Sequence, residues 1–202
     1  MTMFYINNNI LNIIKRQSGS ASVEFALMSG LLLLLFFGSV EYSRYLLIIQ
    51  KVENVSSTVA DITTQTDPNI SPLTTSQMSQ LMSAVDDLMS PYSSGANDSN
   101  IKVIVSSITK TGAANPIINW QYCTGGGSYS ASSRIGTTIG GTATLPGSFT
   151  MNSGDEIIIG EVIYNFIPIF PGNPVLSATQ IYRTSIYIPR LGALTAFSST
   201  CP

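Results

Sequence analysis

Sixteen uncharged residues, Phe25 to Val40, stand between Glu24 and Glu41, and they include Leu31 to Leu35 and Phe36-Phe37. No proline interrupts the run, and it reads as a helix that meets apolar surroundings on every side. At 1.5 Å per residue it covers about 24 Å, somewhat less than a hydrocarbon core of about 30 Å. Apolar character resumes in Tyr45-Leu46-Leu47-Ile48-Ile49, and Glu41 and Arg44 are spaced to pair on one helix face. The helix is therefore expected to continue past a membrane to about Asp61.

Glu24 is the anomaly in this pattern, because a charged side chain inside a bilayer costs a few kcal/mol or more. A secretory signal also combines basic residues, here Lys15 and Arg16, with a leucine run, but it needs small residues at the far end. Gly38-Ser39-Val40 followed by Glu41-Tyr42 is a poor match. The whole arrangement, Lys15-Arg16, then Gly19-Ser20-Ala21-Ser22-Val23-Glu24-Phe25 opening a long apolar helix, resembles the processing site of type IV pilin-like proteins. In that superfamily a membrane-embedded aspartic peptidase cuts after the glycine. The resemblance implies cleavage between Gly19 and Ser20, with Glu24 as the fifth residue of the mature chain. The expected organisation is a leader at 1–19, a transmembrane and stalk helix at 20–62, and an extracytoplasmic domain at 63–202.

Thr63 to Pro72, with two prolines and several threonines, marks the end of the first helix. A second helix is predicted next, since Met78, Leu81, Met82, Val85, Leu88 and Met89 recur at three- and four-residue spacing. Thr74 with Gln77 has the form of a capping box, and Pro91 ends the pattern. The methionine stripe reads as a core face. From Ile101 the period becomes two, and β-branched residues dominate Asp155 to Tyr164 and Gln180 to Ile188. The Gly/Ser/Thr-rich stretch Gly125 to Thr144 reads as exposed turns or a flexible loop. The fold class that follows is α+β: a long N-terminal transmembrane and stalk helix, then a globular domain with a short helix and an antiparallel β-sheet of four or five strands.

Composition bears mainly on what the chain does not do. Only 10% of residues are charged, and beyond residue 19 the 7 basic residues are outnumbered by 11 acidic ones, so a basic patch for nucleic acid is not expected. There is no histidine, which removes the commonest general base and most zinc sites, and no cofactor or enzymatic activity is expected. Asp86-Asp87 diverge by about 100° on a helix and Asp155-Glu156 alternate on a strand, so both pairs read as solvated surface. Gly125-Gly126-Gly127 lacks the lysine and helix of a phosphate loop. Trp120 and Tyr122 beside Cys123 read as core, a ligand-binding surface being the alternative. The two cysteines, Cys123 and Cys201, are 78 residues apart and lie beyond the apolar helix. In an exported domain a disulfide is the default, with two unpaired buried thiols as the alternative.

Orientation is not decided by charge counts, because Lys15 and Arg16 are balanced by Arg44 and Lys51. Leader cleavage and the cysteine pair favour an inside N-terminus. This expectation corresponds to a bacterial inner membrane protein with a periplasmic C-terminal domain.

Ser20 to Leu27, the leucine run, Gly38-Ser39-Val40-Glu41-Tyr42-Ser43-Arg44 and Val52-Glu53-Asn54-Val55 together resemble the N-terminal domain of TadE-like proteins. These are minor pseudopilins of the tight-adherence (Flp) pilus system. Gly160 to Phe166 followed by Pro168 and Pro171-Gly172, and Ile188-Pro189-Arg190, are similar to the family's C-terminal strands. Phe25 departs from the tyrosine usual in the major Flp pilin, as does the size of the domain. The resemblance implies a structural and assembly protein of an adhesive pilus. Its partners would be the prepilin peptidase, other pilin or pseudopilin subunits, the inner-membrane pilus platform and membrane lipid. Glu24 would pair with a neighbouring subunit's N-terminal amine at Ser20. A type II secretion pseudopilin and a membrane-anchored periplasmic ligand-binding module are the competing readings.

Overall fold

The computed structural model describes residues 8–70, 72–92, 100–125, 131–170, 176–197 and 201, with side chains in the opening helix from Gly19 onward. Its elements, in order, are α1 (Asn8–Thr64), α2 (Thr75–Met89), β1 (Ile101–Thr109), β2 (Ile117–Gly125), β3 (Glu156–Phe166) and β4 (Thr179–Tyr187). Pro171-Gly172, Gly126-Gly127 and the first seven residues lie outside the described residues. The chain divides into two compact units. One comprises residues 1–44 with 168–177; the other comprises 45–167 with 178–202.

In the first unit, α1 carries its apolar side chains outward. Phe25, Leu27, Leu31 and Phe36 are each more than half exposed, and the most apolar stretch of the helix has none of its residues buried. A helix apolar all round has no polar face to give to water, which is the composition of a segment that needs lipid or other helices around it.

In the second unit, the part of α1 from Tyr45 onward is one-sided. Ile48, Val52, Val55, Ser56, Val59, Ala60 and Thr63 are buried at three- and four-residue spacing. Helix α2 begins with the expected capping box: the Thr74 side chain accepts from Gln77 N–H, and the Gln77 side chain accepts from Thr74 N–H. It buries Met78, Met82, Val85 and Met89, leaving Leu88 at the exposed rim of the stripe.

The sheet is entirely antiparallel, in the order β2-β1-β3-β4. Its two central strands are buried on both faces, which explains their near-continuous Ile and Val content. One face, carrying Val105, Gly160 and Ser185 in register, receives α1. A Cβ on Gly160 would come within 2.5 Å of the Ser56 carbonyl oxygen and 3.1 Å of the Ala60 Cβ. Glycine is thus what lets helix and sheet approach so closely. Ser56 and Ser185 share a hydroxyl hydrogen bond at 2.8 Å, and Ser57 and Tyr187 share one at 2.6 Å.

The opposite face is covered by a segment expected to be loop. Ile135, Ala143 and Met151 are buried against Ile108, Ile118, Ile157 and Ile159. The chain from 140 to 143 also hydrogen-bonds along the outer edge of β2, through Ile118 N–H to Gly141 and Ala143 N–H to Pro116. Gly, Ser and Thr let this segment turn repeatedly, while a few apolar residues fix it to the sheet.

Candidate functional site

The helical ladder of α1 runs without a break through Gly19, Ser20, Glu24 and Phe25. Apart from its chain neighbours and the helix's own backbone, nothing described lies within 4 Å of where a Gly19 Cβ would be, and Gly19 and Ser20 are both exposed. Glycine inside a helix costs about 1 kcal/mol relative to alanine, so Gly19 is a point of low local helix stability. One turn on, the exposed Glu24 carboxylate accepts a hydrogen bond from the Ser20 hydroxyl at 3.2 Å. Phe25 is 72% exposed beside it. The structure therefore gathers Gly19, Ser20, Glu24 and Phe25 within two turns of helix, a single carboxylate against an otherwise apolar surface. The Ser20 hydroxyl that it accepts from is neutral, so this hydrogen bond leaves the Glu24 charge uncompensated.

The far end of the apolar run is treated differently. Glu41 pairs with Arg44 at 3.0 Å, as its spacing suggested, and its other oxygen accepts from Ile169 N–H at 3.1 Å. It is fully buried. Sequence spacing could show the Arg44 partner; nothing local could show that residue 169 supplies the rest.

Within the second unit, Cys123 and Cys201 are at disulfide distance, with Cα atoms 5.2 Å apart. They are not part of the Gly19 to Phe25 cluster. Trp120 is completely buried, donates from Nε1 to the Leu194 carbonyl and meets Phe197 edge to face at 4.9 Å. It is core, and the alternative of a Trp120 binding surface falls with its burial.

A buried polar network that the sequence did not disclose lies on the sheet face away from α1. Glu161, fully buried on β3, accepts from the Ser133 and Tyr182 hydroxyls and the Arg134 backbone N–H. Gln121 donates to Ser106, Ser133 and the Gly136 carbonyl. The Arg134 guanidinium lies over the Tyr182 ring at 4.2 Å. Burial pushes the Tyr182 hydroxyl far above its usual range, and the Glu161 charge and hydrogen bond push the same way, against Arg134. Tyr182 is thus held as a neutral donor, and the network serves to seat residues 133–136 on the sheet.

Asp155 and Glu156 depart from the solvated-surface expectation. Asp155 closes the turn before β3 by accepting from Asn152 N–H at 2.7 Å. Glu156 is half-buried, accepts from Ser107 at 3.0 Å, and takes the Leu194 N–H on both oxygens. Burial raises its pKa above the ordinary carboxylate range, with the hydrogen bonds from Ser107 and Leu194 opposing. Asp87 is exposed and Asp86 partly buried on α2. Among the described residues no three His, Cys, Asp or Glu side chains are grouped to hold a metal ion.

Residues 19–61 match the family model described as TadE-like protein. Neither the comparison with curated proteins nor that with solved structures finds a match.

Proposed function

Because the chain is TadE-like over residues 19–61, we propose that it is a component of the Tad pilus system, a minor pseudopilin acting in pilus assembly and through it in surface adhesion. In this reading a prepilin peptidase removes residues 1–19. The helix from Ser20 then anchors the chain in the bacterial inner membrane, and residues 63–202 fold in the periplasm. The observation that carries the reading is Glu24: an exposed carboxylate one turn after the exposed Gly19 and Ser20, on a helix whose apolar surface is outward on all sides. In hydrocarbon such a charge needs an opposite charge. Cleavage creates one, the ammonium of Ser20, and a neighbouring subunit can present it. Solitary chains leave Glu24 unmatched and assembled chains match it, so the carboxylate favours assembly.

The cysteine pair supports the proposed orientation, since a disulfide at Cys123 and Cys201 needs an oxidising compartment. Glu24→Gln in a pilus-forming cell is expected to leave membrane insertion and leader removal intact and to abolish incorporation with other pilin subunits. Normal pilus assembly by that variant would refute the pairing. Mass spectrometry of the protein from the same cells is expected to find Ser20 as the first residue; an intact leader would refute the pilin reading.

A further inference from the structure

The apolar run is short for a bilayer, and the structure shows what happens where it ends. From Glu24 to Glu41 the helix rises about 26 Å, so a hydrocarbon core of about 30 Å that begins at Glu24 extends past Glu41. Glu41 is nonetheless the most thoroughly covered carboxylate of its unit: Arg44 takes one oxygen, the Ile169 N–H takes the other, and no surface remains exposed. One turn nearer the middle of the run, Phe170 packs on Phe37 with ring centroids 4.8 Å apart. Ile169, between the clamp and the ring pair, projects a side chain that is 58% exposed. The segment Pro168–Phe170 thus lies along the end of the helix, using its backbone to cover a charge and leaving an apolar side chain outward.

We propose that Pro168–Phe170 is a membrane-contacting foot, a second site at which this chain enters the phospholipid bilayer, beside the end of the spanning helix. The proposal rests on the membrane-anchor reading of α1 and adds a partner to residues outside that helix. Lipid is the occupant that fits. The foot is continuous with a helix surface that is itself apolar and outward, and Phe37, which it covers, belongs to the hydrocarbon-length run. The Ile169 N–H is already taken by Glu41. Pro168 has no N–H to desolvate. An Ile side chain carried to the acyl boundary in this way loses only apolar surface to lipid, whereas left in water it gains nothing. With Glu41 paired and covered, the apolar run does not end on an open charge.

The test uses the full chain in phosphatidylethanolamine and phosphatidylglycerol vesicles, labelled with an environment-sensitive nitrobenzoxadiazole dye at single introduced cysteines: Ile169→Cys, Leu33→Cys and, as an exposed apolar reference, Ile139→Cys. The unsubstituted chain, whose own cysteines are at disulfide distance, is the blank. The expected result is a severalfold rise in emission at 169 and 33 over 139, with both quenched by lipid carrying a shallow acyl-chain nitroxide. A label at 169 that behaves like the one at 139 while 33 stays lipid-buried overturns the foot and leaves the anchor standing. A label at 169 that is shielded but not quenched by nitroxide lipid overturns the lipid occupant in favour of a protein neighbour. Water exposure at both 33 and 169 overturns the anchor, and the foot with it.

Discussion

Gly160→Ala is a small change with a large expected effect, because the new methyl would meet backbone. Its Cβ would stand 2.5 Å from the Ser56 carbonyl oxygen and 3.1 Å from the Ala60 Cβ, against an ordinary contact of about 3.5 Å. Helix α1 would therefore have to withdraw by about 1 Å. A gap of that size forfeits a quarter to a half of the dispersion energy at each facing contact. The contacts at risk are those of Val52, Val55 and Val59, all buried on the same helix face. Overpacking of this kind costs about 1–3 kcal/mol, and removing a strand glycine returns about 0.5–1 kcal/mol of chain entropy. The net expectation is a loss of about 1–2 kcal/mol for Gly160→Ala, and more for Gly160→Val. Adding Ala60→Gly should recover little, because the Ser56 oxygen remains. Urea unfolding of the full chain in nanodiscs, followed through the emission of Trp120, the only tryptophan, measures the shift in midpoint at constant slope. A Gly160→Ala protein as stable as the parent, or more stable, would show that the close approach of helix and sheet is not what fixes this glycine.

Glu161→Gln removes the charge that three donors share and forces a hydroxyl that now donates to turn and accept from the new NH2; loss of charge-assisted hydrogen bonds of this kind suggests about 2–3 kcal/mol in the same unfolding assay, and an unchanged midpoint would refute the network's role. Reduction of the Cys123–Cys201 pair, or Cys201→Ser, releases a loop of 78 residues and on chain-entropy grounds should cost about 4.5 kcal/mol; equal stability with and without reductant would contradict it. Glu156 has a folded pKa raised by burial, so its contribution to stability is fully present below the unfolded value and is lost as pH rises through the folded one. Relative to the parent, Glu156→Gln should therefore gain stability as pH climbs from 4.5 toward neutrality; a difference that is flat or falls with pH contradicts the burial account.

Elements carried by strong local patterns were legible in the sequence. Thr74 and Gln77 marked the start of α2, the prolines after Thr64 marked the end of α1, and the β-branched stretches located β3 and β4. Strand β2 was obscure because Asn119, Gln121 and Cys123 alternate with Trp120 and Tyr122 on a strand whose two faces meet different neighbours. Residues 131–151 misled by composition: Gly, Ser and Thr dominate, and the few residues that anchor the segment, such as Ile135 and Met151, are too widely spaced to form a period. At the junction, Gly19, Ser20 and Glu24 were readable because their relation is local to one helix. Ile169 covering Glu41 and Tyr182 bonding Glu161 depend on contacts across 128 and 21 residues of chain, which no local pattern encodes.

The C-terminal residues bear on how the sheet is finished. Phe197 rests on Trp120 and Tyr122 on one face of β2, and Cys201 meets Cys123 on the other, so the two straddle the outer edge of that strand. The first half of the same edge is bonded to residues 140–143. Oxidation of one sulfur pair therefore ties residue 201 to an outer strand of the sheet. Unguarded strand margins are where sheets recruit unwanted partners, and β2 and β4 are the two outer strands of this sheet. On the proposed function, in which contacts run through the N-terminal helix, a sulfur pair held at the outer strand would act against strand-to-strand association and in favour of helix contacts.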